Sequence, residues 1–187
     1  MKSRFNSRFN KLAMFVACLA LASMVSLNAF ARGDNDKAKD AGDKEVAKNT
    51  AWDALKTLEG TWAMTHAGPD GKVGELVFKS TGAGSVVTET MFPGSKHEMV
   101  NMYHMDNDRL IMTHYCAMGV QPRMKLVSSE NGVLKFEFLD ITNAKPGEGY
   151  MASLEMTIKG EQLKEKWSYI KDGKVGEATE FELTKKQ

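Results

Sequence analysis

Cysteine is nearly missing from this chain: its 187 residues contain only Cys18 and Cys116. Cys18 falls in an N-terminal segment expected to be removed, which leaves one thiol and no intramolecular disulfide. The folded part must therefore rely on its apolar core. Histidine and proline are sparse, at four each, and positive charge is not in excess, with 25 Lys and Arg against 24 Asp and Glu. That balance supplies neither the basic stripe of a nucleic-acid binder nor a polybasic membrane-surface patch. The uncharged apolar run from Leu12 to Val25 has 14 residues, short of the roughly 20 that span a bilayer as a helix. Motifs that announce a reaction are missing too. There is no G-x-S-x-G elbow, Walker loop, H-E-x-x-H or paired-carboxylate motif, and no HxH, HxxxH or CxxC spacing for a metal.

What is present begins with Lys2, Arg4, Arg8 and Lys11, followed by the apolar run and then Ala29-Phe30-Ala31. Basic, apolar and small-x-small in that order is the pattern of a cleaved secretory signal peptide, residues 1–31, which implies a periplasmic or secreted protein. Lipidation at Cys18 is the alternative. The bulky Phe15 three residues earlier and the apolar sequence beyond Cys18 favour cleavage after Ala31. Removal takes four of the 25 basic residues and no acidic one, leaving 21 against 24, a net charge of −3. Residues 32–49 are polar and read as a flexible tether. Asn49 or Thr50 then caps a short helix whose Trp52, Leu55 and Leu58 share a face, and Gly60 ends it.

From Thr61 onward the pattern becomes short strands punctuated by turns. Ten are expected, near 61–67, 73–80, 85–92, 98–105, 109–117, 122–129, 133–140, 149–158, 161–170 and 174–184. Turn signals such as Asn131-Gly132 and Asp172-Gly173 separate them. No intervening segment is long enough for a crossover helix, so parallel βαβ units are not expected. An all-β, up-and-down antiparallel barrel of about ten strands over residues 50–187 removes the exposed edges.

Leu58-Glu59-Gly60-Thr61-Trp62 resembles the opening of calycin-type barrels, the lipocalin and fatty-acid-binding group. The segment Leu163 to Leu183, with Trp167, Gly173 and Phe181, is similar to the C-terminal strands of bacterial lipocalin-like proteins of unknown function. So is Glu89 to Arg123, which reads ETMFPGSKHEM and then MYHMDNDRLIMTHYCAMGVQPR. The resemblance covers about residues 50–185. It implies that Trp62 closes one barrel end, with Lys185 in the place usually taken by an arginine, and that the barrel binds a ligand. Haem barrels of the same superfamily use a histidine near the C-terminus. This chain has none after His114, and no cofactor is expected.

The hairpin at Asn107-Asp108 pairs Met105 with Leu110, Tyr103 with Met112 and Asn101 with His114. Alternation puts Met99, Asn101, Tyr103, Met105, Leu110, Met112, His114 and Cys116 on one face, taken as inward. Asn101 and His114 then form a polar pair among methionines, either as a ligand anchor or as a histidine satisfied by one hydrogen bond. A turn at Gly82-Ala83 aligns Phe78 with Val87 and Leu76 with Glu89. That points Glu89 inward with Arg123 or His114 as its partner; a register slip would send it to solvent instead. His97 and Glu98 sit at a rim.

The expected ligand-binding residues are Glu89, Asn101, Tyr103, His114 and Arg123, with Gln121 as a loop candidate. The expected partner is a small hydrophobic or amphiphilic molecule bearing a carboxylate or hydroxyl. No metal ligand and no catalytic residue is assigned. An isomerase- or hydrolase-type enzyme using His114, Cys116 and Glu89 is the second reading, and a barrel filled by its own side chains is the third.

Overall fold

The computed structural model describes residues 50–67 and 71–187. The expected signal peptide and the tether lie outside the described residues. Helix α1 occupies residues 50–57. Eleven strands follow: β1 Gly60–Ala67, β2 Val73–Thr81, β3 Val86–Met91, β4 Met99–Asp106, β5 Arg109–Tyr115, β6 Gln121–Glu130, β7 Val133–Thr142, β8 Tyr150–Lys159, β9 Gln162–Lys171, β10 Lys174–Val175 and β11 Thr179–Lys185.

Each strand from β1 to β9 pairs antiparallel with the next, and β11 lies between β9 and β1. The sheet therefore closes into a ten-stranded antiparallel barrel with β10 as an extra short strand. The tenth expected strand is interrupted. Val175 pairs Ile170 and Thr179 pairs Trp167, so β10 and β11 share one edge of β9 across a break at Gly176–Ala178. Turn chemistry sets the hairpins. Asn131 and Gly132 (φ 53° and 77°), like Asp172 and Gly173 (50° and 71°), occupy the left-handed region that a tight two-residue loop needs.

The pairing around Asn107 matches expectation, from Asp106 with Arg109 to Asn101 with His114. The Gly82 hairpin does not. Phe78 pairs Glu89 and Ser80 pairs Val87, a shift of two residues. Gly82–Gly84 forms a 3-10 turn, whose Gly82 carbonyl accepts from the Ser85 backbone and hydroxyl, so the loop is longer than two residues. A two-residue shift preserves parity, and Glu89 still faces inward.

The helix buries Ala51, Leu55 and Leu58 against Trp62. Trp52, expected on that face, is half-buried beneath the Lys56 ammonium instead, because spacings of four and three follow the helical turn better than two steps of three. Trp62 Nε1 donates to the Leu58 carbonyl at 2.7 Å. Lys185 lies over the Trp62 ring, 5.6 Å from its centre, and caps the helix through the Thr57 carbonyl at 3.1 Å. This is the place the sequence suggested for it. One barrel end is thereby closed. The outer wall carries ion pairs such as Lys135–Glu155 and Lys164–Glu180. No helix among the described residues is long and apolar enough to cross a membrane.

Candidate functional site

Alternation along β3, β4, β5 and β9 carries five polar side chains into the barrel. Glu89 comes from β3, Asn101 and Tyr103 from β4, His114 from β5 and Glu165 from β9, and none is more than 1 % exposed. Apolar residues surround them, including Phe78, Met91, Met112, Met124, Phe136, Met156 and Trp167. A buried polar group is costly without a partner, so the bonds among these five govern what the site can do.

One oxygen of Glu89, Oε2, accepts from Asn101 Nδ2 at 2.8 Å and from the Tyr103 hydroxyl at 2.7 Å. Asn101 Oδ1 stands 2.7 Å from Nδ1 of His114. Across the barrel, Trp167 Nε1 donates to Glu165 Oε2 at 3.0 Å, and the His114 ring lies 5.1 Å from that of Trp167. The two carboxyl groups themselves lie within hydrogen-bonding reach. Were both ionised, Glu89 Oε1 and Glu165 Oε1 would have no partner. A protonated Glu165 donating to Glu89 removes that conflict.

The ionisation states follow from burial. Loss of solvation pushes Glu89 up from 4.5 to about 7, against the opposing bonds from Asn101, Tyr103 and Glu165. Burial first, then the charge of Glu89, holds Glu165 well above the ordinary carboxylate range, and the Trp167 bond offsets only part. Tyr103 remains a phenol because burial and both carboxyls raise it. Burial lowers His114 from 6.5 to about 4, so its imidazole is neutral at physiological pH.

Four of the six residues expected from the sequence, Glu89, Asn101, Tyr103 and His114, meet in this network. The other two stand apart. Arg123 sits on the outer face in a two-point ion pair with Asp140, because the odd positions of β6 face outward while Pro122 and Met124 face in. Glu89 therefore bonds neither Arg123 nor His114 directly. Gln121 holds the neighbouring turn, donating to the Gly119 carbonyl and accepting from Thr142. Cys116, expected on the inward face, lies beyond the end of β5 in that turn and is half-exposed, bonded through its backbone to Val120 and Gly119. Glu165 and Trp167 are not among the expected site residues, and Trp167 enters the sequence reading only through the resemblance. The alternation Leu163, Glu165, Trp167 against Lys164 and Lys166 carried the signal.

At the end opposite the helix, a cavity of about 580 Å³ opens between Met64, Val73, Phe92, Pro93 and His97. The Phe92 and Phe181 rings meet edge to face at 5.7 Å on this side. His97 thus sits at a rim, as expected. The polar network itself is packed rather than open, its side-chain atoms being shut off from solvent. No group of three or more His, Cys, Asp or Glu among the described residues is placed to hold a metal ion. Comparison with protein-family models and with curated proteins finds no match to this chain.

Proposed function

We propose that this is an exported, calycin-like barrel that holds a small, largely apolar molecule by its polar head at the Glu89–Asn101–His114 network. One observation carries the reading. Asn101 donates to Glu89 through Nδ2, so only its oxygen faces His114. Nδ1 of His114 must then carry the proton, which leaves Nε2 with a free lone pair, buried and without a partner. A core shaped only for stability has no use for such an atom, whereas a binding site does. Met91, Met112, Met124 and Met156 line the packed centre, and flexible thioethers can shift to admit a guest. The rim cavity beside Phe92 offers the approach. Export is supported by the basic, apolar and Ala-Phe-Ala pattern of residues 1–31.

Native mass spectrometry of the protein purified from its host tests both points. The expected result is a chain beginning at Arg32 with one retained small molecule, absent from the His114→Ala variant. A consistently empty wild-type protein counts against binding, and an intact N-terminus counts against cleavage. A proton-transfer enzyme is a second reading, favoured by Glu89 sitting near neutrality at about 7. It predicts that the molecule emerges altered. A thiol version of that chemistry has no support, since Cys116 lies outside the network.

A further inference from the structure

The hydrogen-bond directions in the network define what the site can receive. Both Nδ2 of Asn101 and the hydroxyl of Tyr103 are spent on Glu89 Oε2. The indole N–H of Trp167 is spent on Glu165, and Nδ1 of His114 on Asn101. Every strong donor of the network is therefore engaged inside it. Three buried atoms have no partner, Glu89 Oε1, Glu165 Oε1 and His114 Nε2; a proton on Glu165 joins the two carboxyl oxygens, and His114 Nε2, an acceptor, is left over. Charge points the same way. Among the described residues, the buried polar and charged groups are Glu89, Asn101, His114 and Glu165, with no Lys or Arg. Lys185, at the helix end, faces the Trp62 ring and the Thr57 carbonyl, and Arg123 faces outward to Asp140.

Building on the binding function proposed above, we propose that the molecule offers a neutral or cationic hydrogen-bond donor, a hydroxyl or an N–H, to Nε2 of His114, and that anionic head groups are refused. A carboxylate brought to this point would meet a lone pair and a carboxyl pair with no free donor, so it would be stripped of water without compensation. A hydroxyl would satisfy His114 Nε2, the acceptor left open once the carboxyl pair shares its proton. Bond directions, which composition alone does not carry, thus separate a hydroxyl head group from a carboxylate.

Three probes of matched shape test it on the purified protein: 4-ethylphenol, ethylbenzene and 4-ethylbenzoate. Binding is followed by tryptophan fluorescence, with Trp167 adjacent to the His114 ring, and by the ¹⁵N resonance of His114 Nε2. The phenol is expected to bind at least about tenfold more tightly than the benzoate and to move the Nε2 resonance upfield, as acceptance of a hydrogen bond does. In His114→Leu the phenol should lose its advantage over ethylbenzene. The wild-type resonance still decides the matter if that variant folds poorly. Equal or tighter binding of the benzoate, or phenol binding with Nε2 unmoved, overturns this inference and leaves the binding function standing. Binding of none of the three removes both.

Discussion

Two donors converge on one oxygen of Glu89, and they are not equivalent. Tyr103→Phe deletes a single hydroxyl and leaves Asn101 in place. The expected cost is about 1–2 kcal/mol of unfolding free energy, read from denaturant midpoints. Because the Tyr103 bond favours the ionised form of Glu89, its loss should also raise Glu89 further, visible by carboxyl ¹³C titration. Asn101→Leu removes two bonds, leaving Glu89 with Tyr103 alone and Nδ1 of His114 with no partner. It should cost more, on the order of 3 kcal/mol. A smaller loss than for Tyr103→Phe would show that Asn101 does not link the two. These residues were legible in the sequence because strand alternation and one well-marked hairpin fix a face. Glu165 was not singled out, since nothing local tells which strand closes across from Glu89.

The helix and the last strand hold each other through Lys185. Its ammonium serves both the Trp62 ring and the helix C-terminal carbonyl of Thr57. Lys185→Met should lower stability by about 0.5–1 kcal/mol, while Lys185→Arg should keep most of it. Equal melting temperatures for Met, Arg and the parent would deny the contact any role. Gly149, just before β8, is needed for a different reason. A Cβ there would lie 1.8 Å from the Tyr169 hydroxyl oxygen and 2.1 Å from its ring carbon Cζ. Gly149→Ala must displace that ring, and combining it with Tyr169→Ala should recover part of the lost stability. Tyr169→Phe should not, because the ring itself is in the way. The strands were readable from turn residues, as at Asn131-Gly132. The Gly82 hairpin departs from the expected register by two because its 3-10 turn draws in Ser85, a choice the Gly-Ala-Gly-Ser sequence does not advertise.

For the molecule as a whole, the buried carboxyls make stability fall as pH rises. Glu89 and Glu165 hold their protons in the folded state at pH values where the unfolded chain, ionising near 4.5, has released them. The folded state then binds more protons, so the unfolding free energy declines above about 4.5. The contribution from Glu89 is lost by about 7, and that from Glu165 continues to fall above it. His114 acts in the opposite sense. It is neutral when folded down to about 4 but titrates near 6.5 when unfolded, so its contribution rises with pH between those values and then levels off. Melting temperatures across pH 5 to 9 should therefore fall throughout, most steeply between about 6.5 and 7, where both carboxyls still act and the histidine contribution has levelled off, and above about 7 through Glu165 alone. Glu165→Gln should flatten the alkaline loss. A parent protein as stable at pH 9 as at pH 6 would contradict the ionisation states assigned to the pair.

The linear order of residues determined the local facts: turn residues at regular intervals, period-two alternation, a short helix before Gly60, and an inward face bearing Asn101, Tyr103 and His114. Those depend on neighbours a few positions apart or one hairpin away. Closure decided the rest. Bringing β9 and β11 round to β1 set Glu165 beside Glu89 and Trp167 beside His114, and left one imidazole nitrogen without a partner. Contacts across a barrel join residues far apart in the chain, and their pairing is fixed only when the whole sheet closes.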